Sequence, residues 1–395
     1  MGAFRPVRIL HVIDHFYPQL GYQETFLSMT ETGQGHDVTV LTSNLIAKGA
    51  YEANRDFIDS RKTKIGQSIE RGIKTIRLPA LRLPIVDNLY LLGMEETIAR
   101  LKPEVIICHG ITFLTSVRLA RLKHRFPNVK LIYDDHMTYN ATRGGIFYRI
   151  YYLFRLMLIP AILRSADRII AVTLETRDFM EHVYGIPRGD IEVVPLGVDT
   201  TLFRRDLKAR EEIRARYGIR DEDVVFIYSG KIVPEKGPHL LIGAALKMIA
   251  EHSNVVIMLV GGGRNHYRDL LSERTGSSRF RHKFLSVSSV PNKELFRYYS
   301  AADVGVWPLQ CSISMLEAMS CGLPVIISDK SGALERIDNG NGLMYREGDI
   351  EDLAEKMETL LDHKTRRTMS LKALEFAKEN DWNIVSARFL SLVDI

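Results

Sequence analysis

The constraint that weighs most on this chain is an alternation repeated in two series: short runs rich in Val and Ile, separated by stretches of helical length. In the first series the runs fall at 8–13, 37–42, 74–78, 105–109, 130–133 and 168–172, and in the second at 224–229, 254–260, 280–286, 304–307 and 324–328. Strands separated by helices of this length read as right-handed βαβ units, so each series predicts a parallel sheet in an α/β fold of the Rossmann type. Pro195-Leu196-Gly197-Val198-Asp199 interrupts the alternation, and a charged helical stretch, 206–217, leads into the second series. At 395 residues the chain exceeds one ordinary core and suits two domains of roughly 100–200 residues each. The expected organisation is a Rossmann-like domain over 1–198, a second over 199–375, and a cleft between the two lobes. The last residues, 362–393, are helical by pattern, and 376–395 are expected to cross back to the first domain.

Composition excludes more than it selects. An apolar fraction of 46% and a charged fraction of 26%, with no repeat of fixed period, describe a soluble globular chain. A net charge of +5 suits phosphorylated substrates and falls short of a nucleic-acid signature. Cys108, Cys311 and Cys321 form no CxxC pair, so neither a disulfide framework nor a zinc site is expected and a reducing cytosol fits. The first residues show no basic stretch followed by a long apolar core, so no secretory signal is expected. The most apolar stretch, 146–163, holds Arg149, Arg155 and Pro160 and does not read as a membrane span. The wider segment 141–168 mixes five arginines with aromatic and aliphatic residues. That mixture suits peripheral contact with an anionic membrane surface, while the scatter of its arginines around a helix equally suits a packed helix.

Two segments carry chemistry. Ser229-Gly230-Lys231-Ile232-Val233-Pro234-Glu235-Lys236-Gly237 follows a predicted strand and precedes a helical run beginning near Pro238. Ligands of open α/β sheets bind at the carboxyl ends of strands, and two ammonium groups on one loop match the charges of a diphosphate. A solvated turn carrying two lysines is the alternative. Cys311-Ser312-Ile313-Ser314-Met315-Leu316-Glu317-Ala318-Met319 follows the strand ending at Trp307, and its serines predict a helix start. Free N–H groups there favour an anion, and Glu317, one turn or more inside, can accept from the two vicinal hydroxyls of a ribose.

Together these segments resemble the GT-B-fold glycosyltransferases of family 4, which are retaining and use nucleotide-sugars. Tyr17-Pro18-Gln19-Leu20-Gly21, Pro195-Leu196-Gly197-Val198-Asp199, Val260-Gly261-Gly262-Gly263, Tyr298-Tyr299-Ser300-Ala301-Ala302-Asp303-Val304 and Glu317-Ala318-Met319-Ser320-Cys321-Gly322-Leu323-Pro324-Val325-Ile326 are similar to the family's pattern in order and spacing. The resemblance implies that Lys231 and Lys236 bind the donor diphosphate and that Glu317 binds the ribose. Gly21, Gly230, Gln310, Ser312, Ile313, Ser314 and Met315 complete the expected donor site. It also implies work without a bound metal or cofactor, the nucleotide-sugar being a substrate. One departure stands out. The family's acidic residue eight positions before the ribose-binding glutamate is Leu309 here, with Gln310 the nearest polar neighbour.

In the first domain, His109 and His136 each end a predicted strand. The resemblance implies a histidine at His136 near the transferring sugar, with His109 a weaker candidate for the same region. Asp134 and Asp135 are expected as hydrogen-bonded or solvated acids of one loop, not as a metal site. The expected activity is transfer of a hexose-type sugar from a UDP- or GDP-sugar, such as GDP-mannose, to a hydroxyl acceptor: a glycan, glycolipid or small molecule. A catalytically inactive sugar-nucleotide-binding protein of the same fold and a sugar-nucleotide 2-epimerase are the alternatives.

Overall fold

The computed structural model describes residues 5–47, 50–51, 60–83, 88–139, 149, 153, 156–263, 265–276, 279–330, 332 and 334–394. The chain divides into two compact units, Met1–Leu196 with Trp382–Ile395, and Gly197–Asp381. Residues 376–381 therefore stay with the second unit, and the return begins at Trp382. Most of 141–155 lies outside the described residues, and with it nearly half of the arginine-rich segment 141–168.

The first unit holds β1 (Arg8–Val12), β2 (Asp37–Ser43), β3 (Gly66–Glu70), β4 (Ile73–Leu78), β5 (Ala80–Arg82), β6 (Leu89–Leu91), β7 (Val105–His109), β8 (Lys130–Asp135), β9 (Arg168–Ala171) and β10 (Ile191–Val193). Eight of them form one sheet in the order β10-β9-β8-β7-β1-β2-β4-β3, with β5 and β6 in a separate ribbon. The sheet is parallel except at β3, which runs antiparallel along β4. Central strands such as β7 are buried at every residue, the burial that parallel sheets covered on both faces require. The order turns back at β1, whose neighbours are β2 and β7. The carboxyl ends of β1, β7 and β8 thus meet at a topological switch point.

The helical pattern over 362–393 is two helices, His363–Glu379 and Trp382–Ser391. They break where the Val198 N–H donates to the Asn380 carbonyl at 2.9 Å and the Thr200 hydroxyl to Asp381 at 2.6 Å. In the first unit, Trp382 then stacks on Phe26 of helix Gln23–Gly33, ring centroids 5.6 Å apart. Such a pair adds about 0.5–1.5 kcal/mol to the burial of its area.

The second unit holds β11 (Val224–Ser229), β12 (Val255–Val260), β13 (Phe284–Val287), β14 (Val304–Trp307), β15 (Val325–Ser328) and β16 (Gly342–Tyr345), in the order β13-β12-β11-β14-β15-β16 and all parallel. The run at 280–286 pairs only from Phe284, because Arg281–Lys283 is a 3-10 turn. Asp303 locks the sheet to helix Leu207–Tyr217: it takes Arg210 at 3.0 Å, Arg214 at 2.8 Å and the Val225 N–H at 2.9 Å. Here the order turns back at β11, between β12 and β14.

Candidate active site

At the second unit's switch point, the loops after β11 and β12 are zipped together. Gly230 N–H donates to Val260 O at 3.0 Å and Ile232 N–H to Gly262 O at 2.7 Å. Their glycines are required by this approach. A Cβ on Gly261 would stand 1.8 Å from the Gly230 carbonyl oxygen, and one on Gly263 2.0 Å from that of Ile232. Tyr228 fixes the loop from below, its hydroxyl donating to the Lys231 carbonyl at 2.8 Å.

The lysines stand on this zipped loop. Lys231 is exposed and Lys236 half-buried on the 3-10 turn Pro234–Lys236, just before helix Pro238–Met248. Burial, with the like charge of Lys231 adding to it, pulls Lys236 below the usual lysine range. Among the described residues neither lysine is in an ion pair. An ammonium partly stripped of water without a counter-charge is the electrostatic arrangement that an incoming anion relieves.

Helix Ile313–Ser320 begins beside that loop. Ser312 is its N-cap residue, as the serines predicted, but its hydroxyl pairs with the Ser314 hydroxyl at 2.7 Å and makes no cap bond. The serines instead tie the helix to β11: Ser314 donates to the Ser229 carbonyl at 3.1 Å, and Trp307 Nε1–H donates to Ser314 at the same distance. Met315 is wholly buried, so only its backbone can contribute to binding.

Glu317 is no surface glutamate. It is 2% exposed, accepts from Asn292 at 2.7 Å and from the Tyr299 hydroxyl at 3.4 Å, and burial pushes its carboxyl up to about 7. Tyr299 is in turn 2.7 Å from the Ser229 hydroxyl at the end of β11. Asn292 and Tyr299 carried no separate chemical signal in the sequence; only Tyr299 lay within a family-like run.

Leu309 finds its explanation in a backbone contact. Gly237, at φ +73°, lies so close that an added Cβ would meet Leu309 Cγ at 2.7 Å. The leucine packs over the turn that carries Lys236, and Gln310 follows it, half-buried. Lys231, Lys236, Gly230, Gln310, Ser312, Ile313, Ser314, Met315 and Glu317 thus share one end of the second sheet.

Gly21, His109 and His136 belong to the first unit and are brought together on its own switch point. Gly21 ends the turn Pro18–Leu20 in a left-handed conformation, φ 66°. The two aspartates correct the sequence expectation. They are not loop groups in solvent: both end β8, Asp134 fully buried and Asp135 2% exposed. Asp135 accepts the His136 and Met137 N–H groups at 2.8 and 3.3 Å, and burial pushes its carboxyl up to about 7. Asp134 lies beneath the exposed His136 ring, 4.0 Å from Nε2. His109 does not project into solvent either. It is buried, donating to or accepting from Asp134 at 2.9 Å through Nδ1. Among the described residues no group of His, Cys, Asp and Glu has the arrangement of a metal site, and no helix is long and apolar enough to cross a membrane.

With this geometry in place, the comparisons define the class. The family described as Glycosyltransferase Family 4 matches residues 31–202, and that described as Glycosyl transferases group 1 matches 209–375. The chain is a family 4 glycosyltransferase of the GT-B fold. A D-inositol 3-phosphate glycosyltransferase of Kribbella flavida is 26% identical over 370 residues, covering 89% of this chain and 80% of that one. A GDP-mannose-dependent alpha-(1-6)-phosphatidylinositol monomannoside mannosyltransferase of Mycolicibacterium smegmatis is 29% identical over 242 residues, 58% of this chain and 62% of that one. Among solved structures, Anabaena HepE in complex with UDP superposes with a TM-score of 0.75 at 18% identity, covering 98% of this chain and 99% of that one.

Proposed function

We propose that the chain moves a sugar from a UDP- or GDP-sugar to a hydroxyl acceptor with retention at the anomeric carbon, the second unit holding the donor and the first the acceptor. The observation that carries this reading is the pair of unneutralised lysines on a glycine-zipped loop, set on the same sheet end as the buried Glu317. In this reading Lys236 and Lys231 hold the diphosphate and stabilise it as it departs, helped by the free N–H groups that open helix Ile313–Ser320. Glu317 accepts from the two ribose hydroxyls, and its charge is restored by those donors. Donor sugar meets Leu309 and Gln310, so the polar contact there is an amide. His136 hydrogen-bonds a hydroxyl near the transferred group. The acceptor is a glycan, glycolipid or small molecule; the first relatives above act on inositol-based acceptors, which makes an inositol phosphate and a phosphatidylinositol glycoside the first acceptors to test.

The test is calorimetry against UDP, GDP and their sugar conjugates, followed by product detection with Lys236→Ala in parallel. The reading requires nucleotide binding in micromolar to millimolar range, a glycosylated product, and loss of about 10²–10³ in turnover for the variant. A folded Lys236→Ala protein of normal activity would refute it. Binding without turnover would mark a sugar-nucleotide-binding protein, and isomerised donor a 2-epimerase.

A further inference from the structure

Beneath the first unit's switch point lies a row of four ionisable side chains that no donor-site role uses. Glu31 Oε2 is 2.6 Å from His11 Nε2, His11 Nδ1 is 2.9 Å from His109 Nε2, and His109 Nδ1 is 2.9 Å from Asp134 Oδ2. The groups come from helix Gln23–Gly33, β1, β7 and β8, and the least buried of them, His109, is only 5% exposed. The imidazole planes differ by 7°, and the centroid separation of 5.2 Å is the hydrogen bond plus the two ring radii. The rings therefore meet edge to edge along a nearly straight N–H···N bond.

Counting protons decides the charge of this row. Three hydrogen bonds need three protons. Two neutral imidazoles carry two, and an ionised carboxylate donates none. If both rings were neutral, His11 Nε2–H to Glu31 and His109 Nε2–H to His11 would leave His109 Nδ1 as a lone pair facing the Asp134 carboxylate, and the opposite tautomers would create the same clash at Glu31. One extra proton removes the conflict and halves the charge of two carboxylates buried in one place. Asp134 also accepts from Gln23 Nε2 at 3.1 Å, a donor that favours its ionised form.

We propose that Glu31, His11, His109 and Asp134 form one proton-holding string, with His109 as the imidazolium, and that the string fixes Asp134 as an anion that positions His136. The charged groups facing the string include Glu24, 6% exposed on the same helix as Glu31, the buried Asp135 next to Asp134, and His136, 4.0 Å from Asp134. Burial pushes Glu24 up to about 7, so it is itself a proton holder beside the string, and at pH 7.5 it is largely ionised and favours the His109 imidazolium. The role of His136 rests on the acceptor-side reading above; the proton count does not.

Imidazole nitrogen NMR on the full chain labelled with 15N-histidine tests both parts. The wild type shows one of the two buried rings with both nitrogens protonated at pH 7.5. Asp134→Asn supplies an amide donor at one end, so both rings become neutral and carry their protons on Nε2. Glu31→Gln supplies it at the other end, so both become neutral with protons on Nδ1. The His136 ring, no longer facing an anion, titrates at lower pH in Asp134→Asn; in Glu31→Gln, where His109 loses its charge and Asp134 keeps its own, it titrates at higher pH. Two neutral rings in the wild type, or the same tautomer in both variants, would overturn the string. An unmoved His136 titration in Asp134→Asn would overturn the positioning role. None of these readouts requires turnover, so a failure of the glycosyl-transfer reading leaves them distinguishable.

Discussion

In the proposed reading the ionised Glu317 favours nucleotide binding and costs stability, and Glu317→Gln separates the two. A carboxyl moved from its ordinary 4.5 to about 7 by burial is disfavoured in its ionised form by about 3 kcal/mol at alkaline pH. The unfolded chain releases this proton through pH 4.5, the folded chain only through about 7. Wild-type stability therefore falls as pH rises across that window and is level above it. Glutamine keeps both contacts, its carbonyl accepting from Asn292 and its amide donating to the Tyr299 oxygen, and has no charge to desolvate. The variant should match wild type near pH 4.5 and exceed it by about 3 kcal/mol at pH 8. Urea unfolding suits the measurement. In a Trp382→Phe background, Trp307 is the remaining tryptophan of the two in the chain and reports the second unit alone. In the proposed donor-site reading the same substitution removes a charge-assisted bond to ribose, worth about 1.5–3 kcal/mol, so UDP or GDP should bind roughly tenfold to a hundredfold more weakly. A variant less stable than wild type at pH 8, or a stability difference that does not grow with pH, would refute the reasoning.

Three further outcomes follow from the same contacts. Nucleotide affinity of the wild type should rise about tenfold per pH unit below 7 and level off above it, because binding draws on the ionised fraction of Glu317; calorimetry from pH 5.5 to 8.5 measures this. Gly261→Ala places a methyl group against the Gly230 carbonyl oxygen at an unfavourable φ of +153°, so it should abolish nucleotide binding and lower the second unit's stability by several kcal/mol, read by calorimetry and urea unfolding. Trp382→Ala should cost the first unit about 3–5 kcal/mol and speed amide exchange in helix Trp382–Ser391, while the second unit's nucleotide affinity stays within about twofold.

Local pattern was enough to find most of the parallel strands, because buried strands are written as continuous Val and Ile runs and their crossovers have a minimum length. Residues 105–109, 224–229 and 304–307 were legible to the residue. The strands Gly66–Glu70, Ile191–Val193 and Gly342–Tyr345 were not, being short or largely exposed with too few apolar residues to stand out. The lysine loop and Glu317 were legible as residue types at particular distances from strand ends, since a strand's carboxyl end is a position along the chain. What those groups experience was not. Lys236 has no ion-pair partner among the described residues, and burial pushes the Glu317 carboxyl up to about 7, because of which loops the fold stacks around them. Leu309 looked like a missing acid until its contact with Gly237 showed a leucine seated over a turn. His11 and Glu31 are separated from Asp134 by about a hundred residues, and no short-range spacing links them. Their joining required three adjacent strands and one helix to be in register. The sequence by itself determined the two α/β units and the placing of the lysine loop and Glu317 after strand ends of the second. Only the tertiary structure decided the charges, since charge depends on burial and on neighbours that chain order does not reveal.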